Sequence, residues 1–169
     1  PRIKSGYVTE CIKEVEAADI SSGKVKILMR AGGTSNWQHP NFKKNNGKVG
    51  HYLFDNSHRN WESLDQSLTP ISSDDPKTQM SSSEGLIAFL EYGKKLEQER
   101  LYRNSDPSKI HRVFIFVDHG GGSLRGVCSD EYTKRDTLDL IEMRSAFEKV
   151  WGNSDHPPFD LIAFDTCLK

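Results

Sequence analysis

Two side chains in this sequence have the types and the placement to make and break covalent bonds: His119 and Cys167. Each closes an apolar run, residues 113–117 before Asp118-His119 and residues 161–164 before Asp165-Thr166-Cys167. A thiol beside an imidazole is a nucleophilic pair. The imidazole takes the thiol proton or holds it in an ion pair, the thiolate attacks an acyl carbonyl, and the imidazolium protonates the leaving amine. The run Gly120-Gly121-Gly122 lets backbone come close to a substrate. Its N–H groups, with that of Cys167, have the chemistry to stabilise an oxyanion.

Taken singly, each residue has a plainer reading. A cysteine after an apolar strand is commonly a small buried side chain, and a histidine at a strand end is commonly structural. The pair is a stronger signal because both residues end strands at the carboxyl edge of a sheet, where the active sites of parallel sheets gather. Strands joined by one crossover helix are close neighbours, so residues 48 positions apart can face each other.

The elements that must position the pair are legible in the apolar spacing. Runs at 25–29, 113–117 and 161–164 read as buried strands. The second is apolar on both faces, as a central parallel strand is. Val8, Cys11, Ile12, Val15 and Ala18 have helical spacing, as do Leu86, Phe89, Leu90 and Leu96, with Ser82 or Ser83 as the cap. Leu140, Met143, Phe147 and Val150 form a third helical face. Residues 49–54 and 61–64 read as short strands or an edge hairpin, and 65–83, with Pro70 and Pro76, as loop. Helices alternating with apolar strands give an α/β fold in one domain.

Composition removes several functions. Lys+Arg 23 against Asp+Glu 24 leaves a formal net charge of -1, with no electrostatic case for nucleic acid. No apolar run approaches the roughly 20 residues of a membrane span. Three cysteines, Cys11, Cys128 and Cys167, have no CxxC spacing, which disfavours a disulfide framework or zinc ribbon. A metal site from His111, His119 and Cys128 matches no ligand spacing, and none is expected. His39, His51, His58 and His156 read as surface residues in polar or turn segments. The His-Gly-Gly-Gly run also resembles the oxyanion motif of lipases and esterases, but no Gly-x-Ser-x-Gly elbow follows. Ser123 has Arg125 where the second glycine would stand.

Four stretches carry a family resemblance: ILMRAGGTSNW at 27–37, LIAFLEYG at 86–93, FIFVDHGGGSLRGVCSDE at 114–131 and FDLIAFDTCL at 159–168. Together they resemble the clostripain family of cysteine peptidases, relatives of gingipains, legumains and caspases. The resemblance implies a caspase-like three-layer α/β sandwich, with a mostly parallel central sheet flanked by helices. It makes His119 the general base and acid and Cys167 the nucleophile. The backbone of Gly120 and Cys167 becomes the oxyanion hole. Asp165 lies in the specificity pocket of an endopeptidase that cuts after Arg or Lys. The physics agrees, since a carboxylate selects a cationic side chain by charge-assisted hydrogen bonds and rejects neutral ones by being left unpaired. The plain alternative for Asp165 is a cap or turn residue.

Such enzymes often cut themselves between the histidine and the cysteine. Lys134, Arg135 and Arg125 are the candidate processing sites, and Lys169 is also basic. The implied partners are peptides or proteins with Arg or Lys before the scissile bond, and a second chain from the same precursor. No cofactor is expected. Some relatives bind calcium, but Asp130 and Glu131 stand in no ligand loop. The resemblance points to a secreted or envelope protein of a bacterium. Both ends look abrupt, and the expectation is one partial catalytic domain over 1–169. It would lack a strand ahead of the first helix and the strands after Cys167. An inactive fragment or pseudo-peptidase that binds basic peptides or a partner chain is the competing reading; an esterase is a third.

Overall fold

The computed structural model describes residues 6–20, 24–101, 106–118, 126–134, 136–152 and 158–166. His119, Gly120, Arg125, Arg135, His156 and Cys167 lie outside these stretches. Helix α1 (Gly6–Ala17) is followed by strands β1 (Leu28–Ala31), β2 (Lys48–Asp55), β3 (Asn60–Ser63) and β4 (Thr69–Pro70). Helix α2 (Ser83–Leu96), strand β5 (Val113–Asp118), helix α3 (Leu140–Trp151) and strand β6 (Leu161–Thr166) complete the order. All three helices fall where the apolar spacing puts them. The first strand starts three residues later than its apolar run.

The mixed α/β character stands, but the mostly parallel central sheet does not appear among the described residues. β1 pairs antiparallel with β2, and β2 with both β3 and β4, in a sheet of four strands. Parallel pairing is confined to β5 and β6, a separate pair. Connection length accounts for the split. β2 and β3 are joined by a short turn in which Arg59 takes φ 51, and so must run antiparallel. β5 and β6 are joined by a long crossover containing α3, the connection a parallel pair requires.

Each sheet has its own core. Ile12 of α1 joins Ala31, Trp37, Phe42, Tyr52, Phe54 and Trp61 around the antiparallel sheet. Buried Phe42 meets Tyr52 edge-on at 4.8 Å between ring centroids, and Tyr52 Oη donates to Asn45 Oδ1 at 2.6 Å. The second core collects Leu86, Leu90, Phe116, Val127, Leu138, Met143 and Ala146, so α2 and α3 cover one face of β5. Phe114 sits among Phe89, Phe147 and Phe159 on that side. The other face is exposed, with Val113 at 54%, Ile115 at 55% and Leu161 at 55%. The expectation that 113–117 is buried on both faces is therefore corrected: alternation puts Val113 and Ile115 on the face the helices leave uncovered.

Arg30 joins the two halves. Its guanidinium reaches from β1 to donate to Gly85 O and Lys77 O, both at 2.6 Å, at the entry to α2. Burial pulls it down to about 10, so it remains a cation at neutral pH. Gly85 permits the close approach of the chain at Gln79, since a Cβ there would lie 2.0 Å from Gln79 O. Ser82 caps α2, its hydroxyl accepting from Gly85 N at 2.9 Å. Asp139 caps α3 in a full capping box: its carboxylate accepts from Ile141 N and Glu142 N, while Glu142 accepts from Asp139 N. Replacing Asp139 with Ala is expected to lower unfolding free energy by about 1 kcal/mol in urea titration with an unchanged slope.

Candidate active site

The parallel pair sets the geometry of the site. β5 and β6 run in register, Val117 opposite Asp165 and Asp118 opposite Thr166, so their carboxyl ends stop side by side. His119 and Cys167 are the next residues on each chain segment and lie outside the described residues, as does Gly120. The register is locked at the opposite end. The Asp160 carboxylate accepts from Arg112 N at 2.7 Å and Asp160 N donates to Arg112 O at 2.8 Å. The Arg112 guanidinium in turn grips Glu97 with two bonds, at 2.9 and 2.5 Å.

Asp165 is described, and α1 reaches it. Tyr7 Oη donates to Asp165 Oδ1 at 2.5 Å, and Cys11 Sγ donates to Asp165 Oδ2 at 3.5 Å. Tyr7 and Cys11 are four residues apart on one helix face. The adjoining stripe of α1, Val8, Ile12 and Val15, packs into the first core. The bond to Asp165 pushes the Tyr7 phenol up to about 12. The Cys11 thiol is pushed up by burial and then by the same carboxylate. A cap or turn role for Asp165 has no place here, since it lies inside a strand and its carboxylate faces a helix. Sequence reading missed the contact because Tyr7 and Cys11 carry only the signal of a helix face.

Cys128 is the other described cysteine. It sits at φ 59, and burial, followed by the charge of Asp118, drives its thiol up to about 12. Neither Cys11 nor Cys128 is therefore held as a thiolate, the form a nucleophile needs.

The histidines sort differently from the surface reading. His39 is only 4% exposed; its imidazole accepts from Asn41 N and lies 3.3 Å from Glu16 Oε2. It fills space beside Phe42. His51 is half-buried, stacked on Tyr92 at 4.4 Å, with Nδ1 3.2 Å from both Asp65 oxygens. Both are corrected to interior side chains, their neighbours being aromatic. His58 and His111 are exposed and pair with Asp55 at 2.6 Å and Asp160 at 3.0 Å.

Of the candidate processing sites, Lys134 is described: it is exposed, in a turn, at φ 57. Arg125 and Arg135 lie outside the described residues. The turn is strapped at its base, where Val127 and Leu138 exchange two backbone bonds of 2.9 and 2.8 Å. Gly126, at φ 69, is required there, because a Cβ would lie 2.1 Å from Leu138 O. Fully buried Asp130 ties the strap to the rest. It accepts from Met80 N at 2.9 Å and Tyr132 N at 2.8 Å, beside a Glu131 N bond to Gly33 O at 2.8 Å. Glu131 accepts from Ser35 N at 2.7 Å. Both acids thus serve backbone amides. Among the described residues, no group of three or more His, Cys, Asp and Glu could hold a metal ion, and no helix is long and apolar enough to cross a membrane.

The model of the clostripain family matches residues 7–169, nearly the whole chain. The chain belongs to the clostripain family. No curated protein and no solved structure gives a match. The clostripain family is one of cysteine peptidases, so membership implies a hydrolase of that type. The matched span takes in α1 and the strap as well as the two strand ends.

Two measurements check this description. Asp130→Ala removes a fully buried carboxylate and leaves the part-buried amides of Met80 and Tyr132 without that acceptor; it is expected to cost about 1–3 kcal/mol, with faster trypsin cleavage at Lys134 under native conditions. Burial holds the His51 imidazole below its ordinary 6.5, against the raising effect of Asp65. The folded protein therefore keeps His51 neutral where the unfolded chain protonates it. Stability from this residue is present in full above pH 6.5 and is lost as pH falls below it. Denaturant titrations from pH 7 to 5 are expected to show that slope in the native sequence and a flatter one in His51→Gln.

Proposed function

We propose that the protein is a cysteine endopeptidase that cleaves after Arg or Lys, with Cys167 as nucleophile, His119 as general base and acid, and Asp165 as the acid that binds the cationic side chain. The observation that carries this reading is the in-register ending of β5 and β6. Asp118 and Thr166 end the two strands as paired neighbours, and His119 and Cys167 are the next residue on each chain segment. Elimination adds support, since Cys11 and Cys128 are both held protonated. The backbone N–H groups of Gly120 and Cys167 would receive the tetrahedral oxyanion. Asp165 supports the specificity half: a carboxylate on the last turn of the strand leading to the nucleophile, with Val117 and Ala163 beside it on the same sheet face.

The reaction follows in order. The Cys167 thiolate adds to the carbonyl of the Arg or Lys residue, and the His119 imidazolium protonates the departing amine. Water, deprotonated by His119, then releases the acyl group. Self-cleavage at Lys134, Arg135 or Arg125 fits the same specificity. The protein is expected to hydrolyse arginyl and lysyl peptide amides. Cys167→Ala and His119→Ala should each lose about 10³-fold or more in kcat/KM. Asp165→Asn should lose at least about 10²-fold for cationic substrates. Activity persisting in Cys167→Ala would sink the assignment. The same chain cut appearing in Cys167→Ala would rule out self-processing.

Peptide binding without turnover is the second reading, and the exposed apolar residues favour it. Ile162 at 39% and Phe164 at 42% add to Leu161, so β6 is open on both faces and offers a surface for another chain. In that case a Cys167-directed lysyl or arginyl acyloxymethyl ketone leaves the protein unlabelled, while an arginyl peptide still binds.

A further inference from the structure

Helix α1 reaches the candidate specificity acid with two donors, one for each carboxylate oxygen. We propose that Tyr7 is a positioning residue that fixes the plane of the Asp165 carboxylate and so makes the site prefer arginine over lysine side chains. The proposal rests on Asp165 being the acid that receives the substrate cation.

The final torsion of an aspartate is soft, and a lone carboxylate turns freely about it. Here Tyr7 Oη holds Oδ1 at 2.5 Å and Cys11 Sγ holds Oδ2 at 3.5 Å, so both ends of the group are tethered. The tether is stiff at its other end as well, because Ile12 is buried and Val8 and Val15 pack against the first core. The phenol, displaced up to about 12, stays a donor across the neutral range. The carboxylate has about four lone-pair positions, so two donors leave acceptor capacity on each oxygen.

A guanidinium and an ammonium use that capacity differently. The guanidinium is a planar fork that needs both oxygens in one plane, and gains from a carboxylate already turned to meet it. The ammonium is a compact charge with rotatable donors, nearly indifferent to the plane. Removing the Tyr7 hydroxyl leaves the charge of Asp165 in place and frees its orientation. Arginine recognition should suffer and lysine recognition should not.

The test is steady-state kinetics of the full chain on matched arginyl and lysyl peptides, with Tyr7→Phe, Cys11→Ala and Asp165→Asn beside the native protein. The native protein should favour arginine. In Tyr7→Phe, KM for the arginyl peptide should rise about fivefold, KM for the lysyl peptide less than about twofold, and kcat for both should hold. Cys11→Ala should move the same ratio in the same direction by less, since a thiol is the weaker donor. Equal changes on both substrates, a fall confined to kcat, or an unaltered ratio overturns the positioning role, as does a native preference for lysine. If Asp165→Asn cleaves both peptides undiminished, the specificity reading itself fails. If Asp165→Asn is impaired while the Tyr7→Phe ratio is unmoved, only the role of α1 fails. Tyr7 is 46% exposed, so losing one hydroxyl oxygen should leave the fold and its melting temperature intact.

Discussion

The parallel pairing of β5 with β6 is the constraint on which the rest of the arrangement depends. A hairpin cannot make such a pair; the chain must leave one strand end, cross the sheet and return to the same starting edge. Here the crossover includes α3, which is pressed into the core by Met143 and Ala146. The pairing is fixed where the strands begin, by the Arg112–Asp160 bonds, and its effect is felt where they end. A slip of one residue would turn Asp165 to the helix-covered face, away from α1. The Glu97–Arg112–Asp160 contacts thus govern what the far edge of the sheet presents.

Environment separates side chains that composition treats alike. The two described cysteines are both kept protonated, Cys128 mainly by burial and Cys11 by burial together with Asp165. The acids divide in a similar way. Asp130 and Glu131 are spent on backbone amides, which gives these neighbouring carboxylates a structural use. Asp165 differs because its partners are side-chain donors on a separate helix. Arg30 shows that a half-buried cation can be maintained by carbonyl oxygens, with Asp65 and Asp130 contributing charge from farther away.

Much of the fold could be read directly. The helical spacings of Val8, Ile12 and Val15 and of Leu86, Phe89 and Leu90 mark α1 and α2, and the apolar runs mark β5 and β6. Strand direction is not legible, because the run 25–29 looks the same whether its neighbour is parallel or antiparallel; only for β2 and β3 does a short turn decide it locally. The run 113–117 reads as buried on both faces because apolar composition does not report whether a second layer covers the sheet. The histidines differ from their surface reading for a related reason: His39 and His51 stand in polar stretches but pack on Phe42 and Tyr92. Of the candidate site, the strand-end placement was legible, while the α1 contact with Asp165 was not. It joins residues 158 and 154 positions apart, and nothing local in the sequence encodes it.

The strap closed by Val127 and Leu138 has a mechanical consequence. Any peptide bond opened between Glu131 and Lys134 lies inside a ring whose base is already fastened by paired amides and carbonyls. The upstream end stays moored through Asp130 to Met80, and the downstream end through Leu138 in the second core. Scission there would divide the polymer without releasing either portion, yielding a two-piece molecule whose halves remain interlocked. Both strand tips would keep their places after the cut.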